Sequence, residues 1–221
     1  MYIQVNGTTL YYEITGQGAP ILLLHGNSES HEIFDVLIGQ LSDRYTVYAI
    51  DSRGHGKSSR VKQLNYMDMA EDIAAFIREL GLQGTALYGF SDGGIIGLLI
   101  AIRYPELLSR LIISGANLWP KGVKKGYLIL IRIIYQITRS RKLKMILTQP
   151  DITDEQLAGI TIPTLVLAGS KDMIYEAHTR HIAEQIPNST LQILEGESHM
   201  SYVVHSEKLH GILQPFLEDI H

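Results

Sequence analysis

The 221-residue chain has no cysteine, one tryptophan and seven prolines. Without cysteine it forms no disulfide, no thiolate metal site and no thiol nucleophile. It also lacks an apolar run of the ~18 residues that a membrane span requires, so no integral membrane segment is expected. The opening Met1-Tyr2-Ile3-Gln4-Val5-Asn6-Gly7 has neither the basic start nor the apolar core of a secretory signal, leaving a cytoplasmic location as the default expectation. A net charge of −4 is the wrong sign for a nucleic-acid partner. Neither a low-complexity linker nor an internal repeat interrupts the chain, and its length suits one domain, 1–221, with a large core.

Strands and helices alternate along it. Tyr2 to Asn6 and Thr9 to Ile14, joined through Asn6-Gly7, predict an opening hairpin. Pro20 to Leu24 is a continuous apolar run of the buried, parallel kind. Further strands are expected at Thr46 to Ile50, Thr85 to Tyr88, Arg110 to Ser114, Thr164 to Ala168 and Thr190 to Leu194. Helices are expected at Glu29 to Leu41, Tyr66 to Leu80 with Gly81 as its stop, Glu176 to Gln185 and Tyr202 to Ile220. This order predicts an α/β fold: a mostly parallel eight-stranded sheet with helices on both faces.

The feature that carries chemistry is Gly89-Phe90-Ser91-Asp92-Gly93. A strand-like run precedes it and an apolar helix, Gly94 to Ile102, follows. Serine on so sharp a strand-to-helix turn is held out with its hydroxyl exposed, and small neighbours are needed because the two elements approach closely. Asp172 and His199 each stand three residues after a glycine that follows a strand. The order Ser91, Asp172, His199 matches one known arrangement of nucleophile, acid and base.

The chain resembles the α/β-hydrolase superfamily over nearly its whole length. Besides the serine turn, Leu24-His25-Gly26-Asn27 is similar to that family's His-Gly-x turn, and Asp51 to Ser58 to its Asp-x-Arg-Gly-x-Gly-x-Ser turn. Gly89 to Gly94 and Ser114-Gly115-Ala116-Asn117 resemble the valacyclovir-hydrolase-like, or biphenyl-hydrolase-like, branch. The resemblance implies a serine hydrolase acting on small carboxylic esters or related acyl substrates, without cofactor or metal. Ser91 would be nucleophile, His199 general base and Asp172 its orienting acid. The backbone N–H groups of Asn27 and Asp92 would form the oxyanion hole. The same constellation would serve an aminoacyl-ester or small-peptide hydrolase, a lactonase or a carbon–carbon bond hydrolase. Outside enzymes, a non-catalytic binding protein on this scaffold is the rival.

Other groups invite weaker readings. His178, His181, His205, His210 and His221 fall on expected surface helices or at the terminus and read as solvated. His31 is a candidate pocket residue, His25 a turn stabiliser, and Asp51, Arg53 and His55 members of a structural turn. Asp92 either caps its helix or enters the acyl pocket to meet a substrate ammonium.

The resemblance also implies a cap insertion at about 117–154, short here, over a shallow and open pocket. From Ala116 to Pro150 there are eight basic residues and no acidic one, so the rest of the chain is near −12. Tyr127 to Ile137 is almost wholly apolar. Such a segment packs on the core, makes weak contact with a membrane surface, receives an acyl chain, or pairs through Leu128, Ile129, Ile133 and Ile134 in a homodimer. Monomer and homodimer both remain open.

Overall fold

A computed structural model describes residues 1–218. β1 (Tyr2–Val5) and β2 (Thr8–Thr15) form the opening hairpin. Its turn is Asn6-Gly7, both at positive φ (44° and 73°), the geometry a two-residue hairpin demands. β3 (Ala19–Leu24), β4 (Tyr45–Asp51), β5 (Thr85–Phe90), β6 (Leu108–Ser114), β7 (Thr164–Lys171) and β8 (Ser189–Ser198) complete an eight-stranded sheet in the order β1-β2-β4-β3-β5-β6-β7-β8. Only β1 and β2 run antiparallel to their neighbours; the other pairings are parallel. The six parallel strands therefore end at a common edge.

Helices cover both faces. On one, α2 (Tyr66–Glu79), α3 (Asp92–Arg103), α6 (Asp154–Ala158) and α7 (Glu176–Gln185) share an apolar cluster with β-strand residues such as Leu22, Leu87 and Ile113. On the other, α1 (Asp35–Leu41) and α8 (Lys208–Leu217) pack Leu37, Leu41, Leu209 and Leu213 on Ile21, Leu23 and Leu167. α3 lies close on the sheet because a Cβ at Gly93 would stand 2.1 Å from the Leu24 carbonyl oxygen.

Three boundaries differ from expectation. The helix expected from Glu29 begins as a 3-10 turn at His31–Phe34, because Asn27 to Ser30 forms a loop with Ser28 at φ 65°. β7 and β8 run on through Gly169 and Gly196, so these glycines lie within strands instead of following them. A Cβ at Gly169 would meet the Glu197 carbonyl oxygen at 2.2 Å, so the close pairing of β7 and β8 requires glycine there. The last helix starts at Lys208 after turns at Ser201 to His205, and Ile220 and His221 lie outside the described residues.

Between β6 and β7 stand α4 (Lys125–Thr138) and α5 (Arg141–Thr148), at the edge where the parallel strands end. The expectation that α4 packs down on the core fails: none of its fourteen residues is buried. Its own side chains are bulky on every side, and of its residues Leu128, Ile131 and Tyr135 are half-covered while the rest are exposed. No described helix is long and apolar enough to cross a membrane.

Candidate active site

β5 ends at Phe90 and α3 starts at Asp92, so Ser91 alone turns the chain, at φ 53° and ψ −112°. A non-glycine residue at such angles costs on the order of 1–3 kcal/mol and persists only where its surroundings dictate it. Here Ser91 N–H donates to the Ser114 carbonyl oxygen at 2.7 Å. A Cβ at Gly89 would lie 2.2 Å from the Gly93 carbonyl oxygen, so nothing larger fits beside the turn.

Asp172 and His199 are the first residues beyond β7 and β8, and parallel pairing delivers both to the edge that carries Ser91. His199 Nε2 stands 3.1 Å from Ser91 Oγ, and His199 Nδ1 stands 2.7 Å from Asp172 Oδ1. That carboxylate is buried, and its Oδ1 also accepts the Ile174 N–H at 2.8 Å. With Nδ1 protonated and donating to Asp172, Nε2 is free to accept from the serine hydroxyl. Gly115, at φ 63°, leaves room for the ring: a Cβ there would sit 2.6 Å from His199 Cε1. The structure thus brings together the three side chains that the sequence placed 108 and 27 positions apart.

Asn27 and Asp92 flank the serine. Asn27 Nδ2 donates to Asp92 Oδ2 at 2.9 Å, and Tyr66 Oη donates to Asp92 Oδ1 at 2.8 Å. Among the hydrogen bonds of the described residues, neither the Asn27 nor the Asp92 backbone N–H meets an acceptor. The Asp92 side chain does not cap α3; it lines the cleft, and burial pushes its carboxyl up to about 6. The cleft has a volume of about 310 Å³. Glu29, Phe90 and Met200 line it near Ser91 and His199, while Ile131, Leu143 and Ile146 supply an apolar wall from α4 and α5.

Two lining residues had no signal as site groups in the sequence. Tyr66 opens α2 and reads there as a helix residue, yet its hydroxyl holds Asp92. Glu29 does not open a helix as its sequence context predicts; its Oε2 accepts the Gly26 N–H at 2.9 Å, bracing the turn before Asn27. Burial raises that carboxyl above its usual range.

The histidines sort differently from expectation. His178 is not solvated: it is buried, its Nε2 accepts the Leu118 N–H at 2.9 Å, and burial lowers it to about 4. Its helix is polar in sequence, but the inward turn of α7 meets a loop N–H that needs an acceptor. His31 does not line the cleft; its Nδ1 is 2.8 Å from Asp51 Oδ1 and its Nε2 3.1 Å from Glu13. His25 ties two turns, with Nδ1 donating to Gly26 O at 2.7 Å and Nε2 accepting Ser52 N–H at 3.1 Å. Arg53 makes a paired contact with Asp72, and His55 packs on His25. His181 pairs with Asp154 and exposed His205 with Asp35.

Residues 19–128 match the alpha/beta hydrolase fold family, a span that includes both Asn27 and the serine turn. The chain is an alpha/beta hydrolase. Among the relatives of this hydrolase is the AB hydrolase superfamily protein YisY of Bacillus subtilis, 25% identical over 94% of this chain and 95% of its own length. Human serine hydrolase BPHL is 25% identical over 98% of this chain and 85% of its own. The alignment with YisY runs over 254 positions against a chain of 221, so this hydrolase carries deletions relative to it. In fold it superposes on an esterase from Exiguobacterium antarcticum with a TM-score of 0.86, at 24% identity over 99% of both chains.

Proposed function

We propose that this hydrolase cleaves small carboxylic esters through a Ser-His-Asp triad and an acyl-enzyme. The observation that carries the reading is the chain of contacts from Asp172 through His199 to Ser91 Oγ, at 2.7 and 3.1 Å. Ser91 attacks the acyl carbonyl, His199 takes its proton and returns it to the leaving alcohol, and Asp172 stabilises the imidazolium. The free N–H groups of Asn27 and Asp92 receive the oxyanion; each such donor is worth on the order of 10²–10³ in rate. The bond from Asn27 Nδ2 to Asp92 Oδ2 fixes the two donors relative to each other. Water then attacks the acyl-enzyme, with His199 as base, and frees the acid. α4 and α5 act as the short cap, and their apolar wall suits an acyl chain better than a charged one.

With p-nitrophenyl acetate the enzyme should show a burst of nitrophenol followed by slower turnover. Ser91→Ala should lower kcat by about a million-fold, the size of effect that loss of a triad serine has in subtilisin. An unchanged rate in that variant ends the proposal.

The Asp92 carboxylate beside Ser91 supports a second reading, an aminoacyl-ester hydrolase in which it meets the substrate ammonium. Both of its oxygens are already engaged, and burial leaves it partly protonated near neutrality. The ratio of rates on an α-amino ester and its des-amino analogue, measured in wild type and Asp92→Asn, decides. Equal ratios remove Asp92 from ammonium recognition.

A further inference from the structure

At 3.6 residues per turn, the half-covered Leu128, Ile131 and Tyr135 fall on one side of α4. Ile129, Leu130, Ile133, Ile134 and Ile137 fall on the opposite side, facing away from the protein. Leu130 and Ile133 are each 54% exposed and Ile137 79%. This is an amphipathic helix turned inside out. Lys125 and Arg132 border the apolar stripe along one edge of the helix, and Lys121, Arg139, Arg141 and Lys144 stand on the adjoining segments, all exposed. Among the described residues, no side chain of the eight basic residues from Lys121 to Lys144 pairs with a carboxylate.

We infer that the outward face of α4 docks on the surface of an anionic lipid bilayer, its aliphatic stripe entering the acyl boundary and its cations meeting the headgroups. An aliphatic face flanked by Lys and Arg is the composition that lies in a membrane interface. A second copy of this chain fits the face less well. Symmetric pairing would oppose two segments that carry only positive charge. A fourteen-residue helix ~21 Å long and ~10 Å wide also offers roughly 200 Å², against about 800 Å² per partner in a stable interface. Ile131 of the same helix lines the cleft beside Ser91, so docking places the cleft across the ~10 Å width of α4 from the lipid surface. That consequence, unlike the docking itself, rests on the hydrolase reading above.

The test is sedimentation of the intact protein with phosphatidylcholine vesicles, with and without phosphatidylglycerol, alongside light scattering of the protein alone. Binding is expected to the anionic vesicles only and to fall with added salt. Replacing Ile129, Ile133 and Ile137 together by serine should weaken it roughly tenfold or more, as should Arg132→Gln with Arg139→Gln and Lys144→Gln. Hydrolysis of water-soluble p-nitrophenyl acetate should stay at the wild-type rate in both variants, which separates lost docking from lost folding. Ser91→Ala should sediment like wild type, so loss of catalysis leaves the readout intact. Equal partition onto neutral and anionic vesicles, no sedimentation at all, or a dimer that the triple-serine variant converts to monomer would overturn the inference.

Discussion

Helix α3 has six isoleucine and leucine residues in twelve positions, and α4 has seven in fourteen. Their aliphatic content is the same, yet ten residues of α3 are buried and none of α4. Glycine makes the difference. Gly93, Gly94 and Gly97 let α3 descend onto the sheet until a Cβ at Gly97 would stand 2.8 Å from Leu111 Cδ1. α4 has one glycine, Gly126, and a Cβ there would meet nothing within 4 Å. Apolar content provides the drive to bury a helix; small residues on one face decide whether it can approach.

The same substitution should therefore have opposite effects in the two helices. Gly93→Ala forces a methyl against the Leu24 carbonyl and should cost about 3 kcal/mol or more. Gly126→Ala removes unfolded-chain freedom without a clash and should add about 0.4–1 kcal/mol. Urea unfolding of both variants measures the pair. A tolerated Gly93→Ala would mean that the serine turn is not held by close approach.

Next in size is truncation of matched leucines. Leu98 is fully buried, and Leu98→Ala should cost about 2–5 kcal/mol. Leu130 is 54% exposed, and Leu130→Ala should stay within about 0.5 kcal/mol of wild type. A large loss at Leu130 would show that α4 is covered in solution.

This contrast also explains what the sequence could and could not tell. The sheet, its parallel core and the Ser91 turn were legible because strand runs, Gly-x-Ser-x-Gly and the glycines of α3 are local signals. Asp172 and His199 were legible through chain order and their places at strand ends. The exposure of α4 was not, since periodicity reports composition and not which neighbours exist to cover a face. His178 and Glu29 were missed for a related reason. Each satisfies a backbone N–H, from Leu118 or Gly26, that becomes an orphan only once the loops are in place.

The last expected effect concerns charge rather than packing. α4 keeps its cations in water, whereas α3 buries its first residue, Asp92, as part of the site. Burial raises that carboxyl from 3.8 to about 6, so the folded protein holds its proton more tightly than the unfolded chain does. The resulting stability is complete below about pH 4 and is lost as pH rises through 6. Asp92→Asn removes this dependence, so the Tm of the variant relative to wild type should climb between pH 4 and 7. His25 and His178, both lowered to about 4 by burial, act with the opposite sign. They favour the fold above pH 6.5 and weaken it on acidification, equally in both proteins, and cancel from the difference. A difference in Tm that stays flat across that window would mean that Tyr66 and Asn27 hold Asp92 ionised in the fold, and that the site keeps a full negative charge beside its serine.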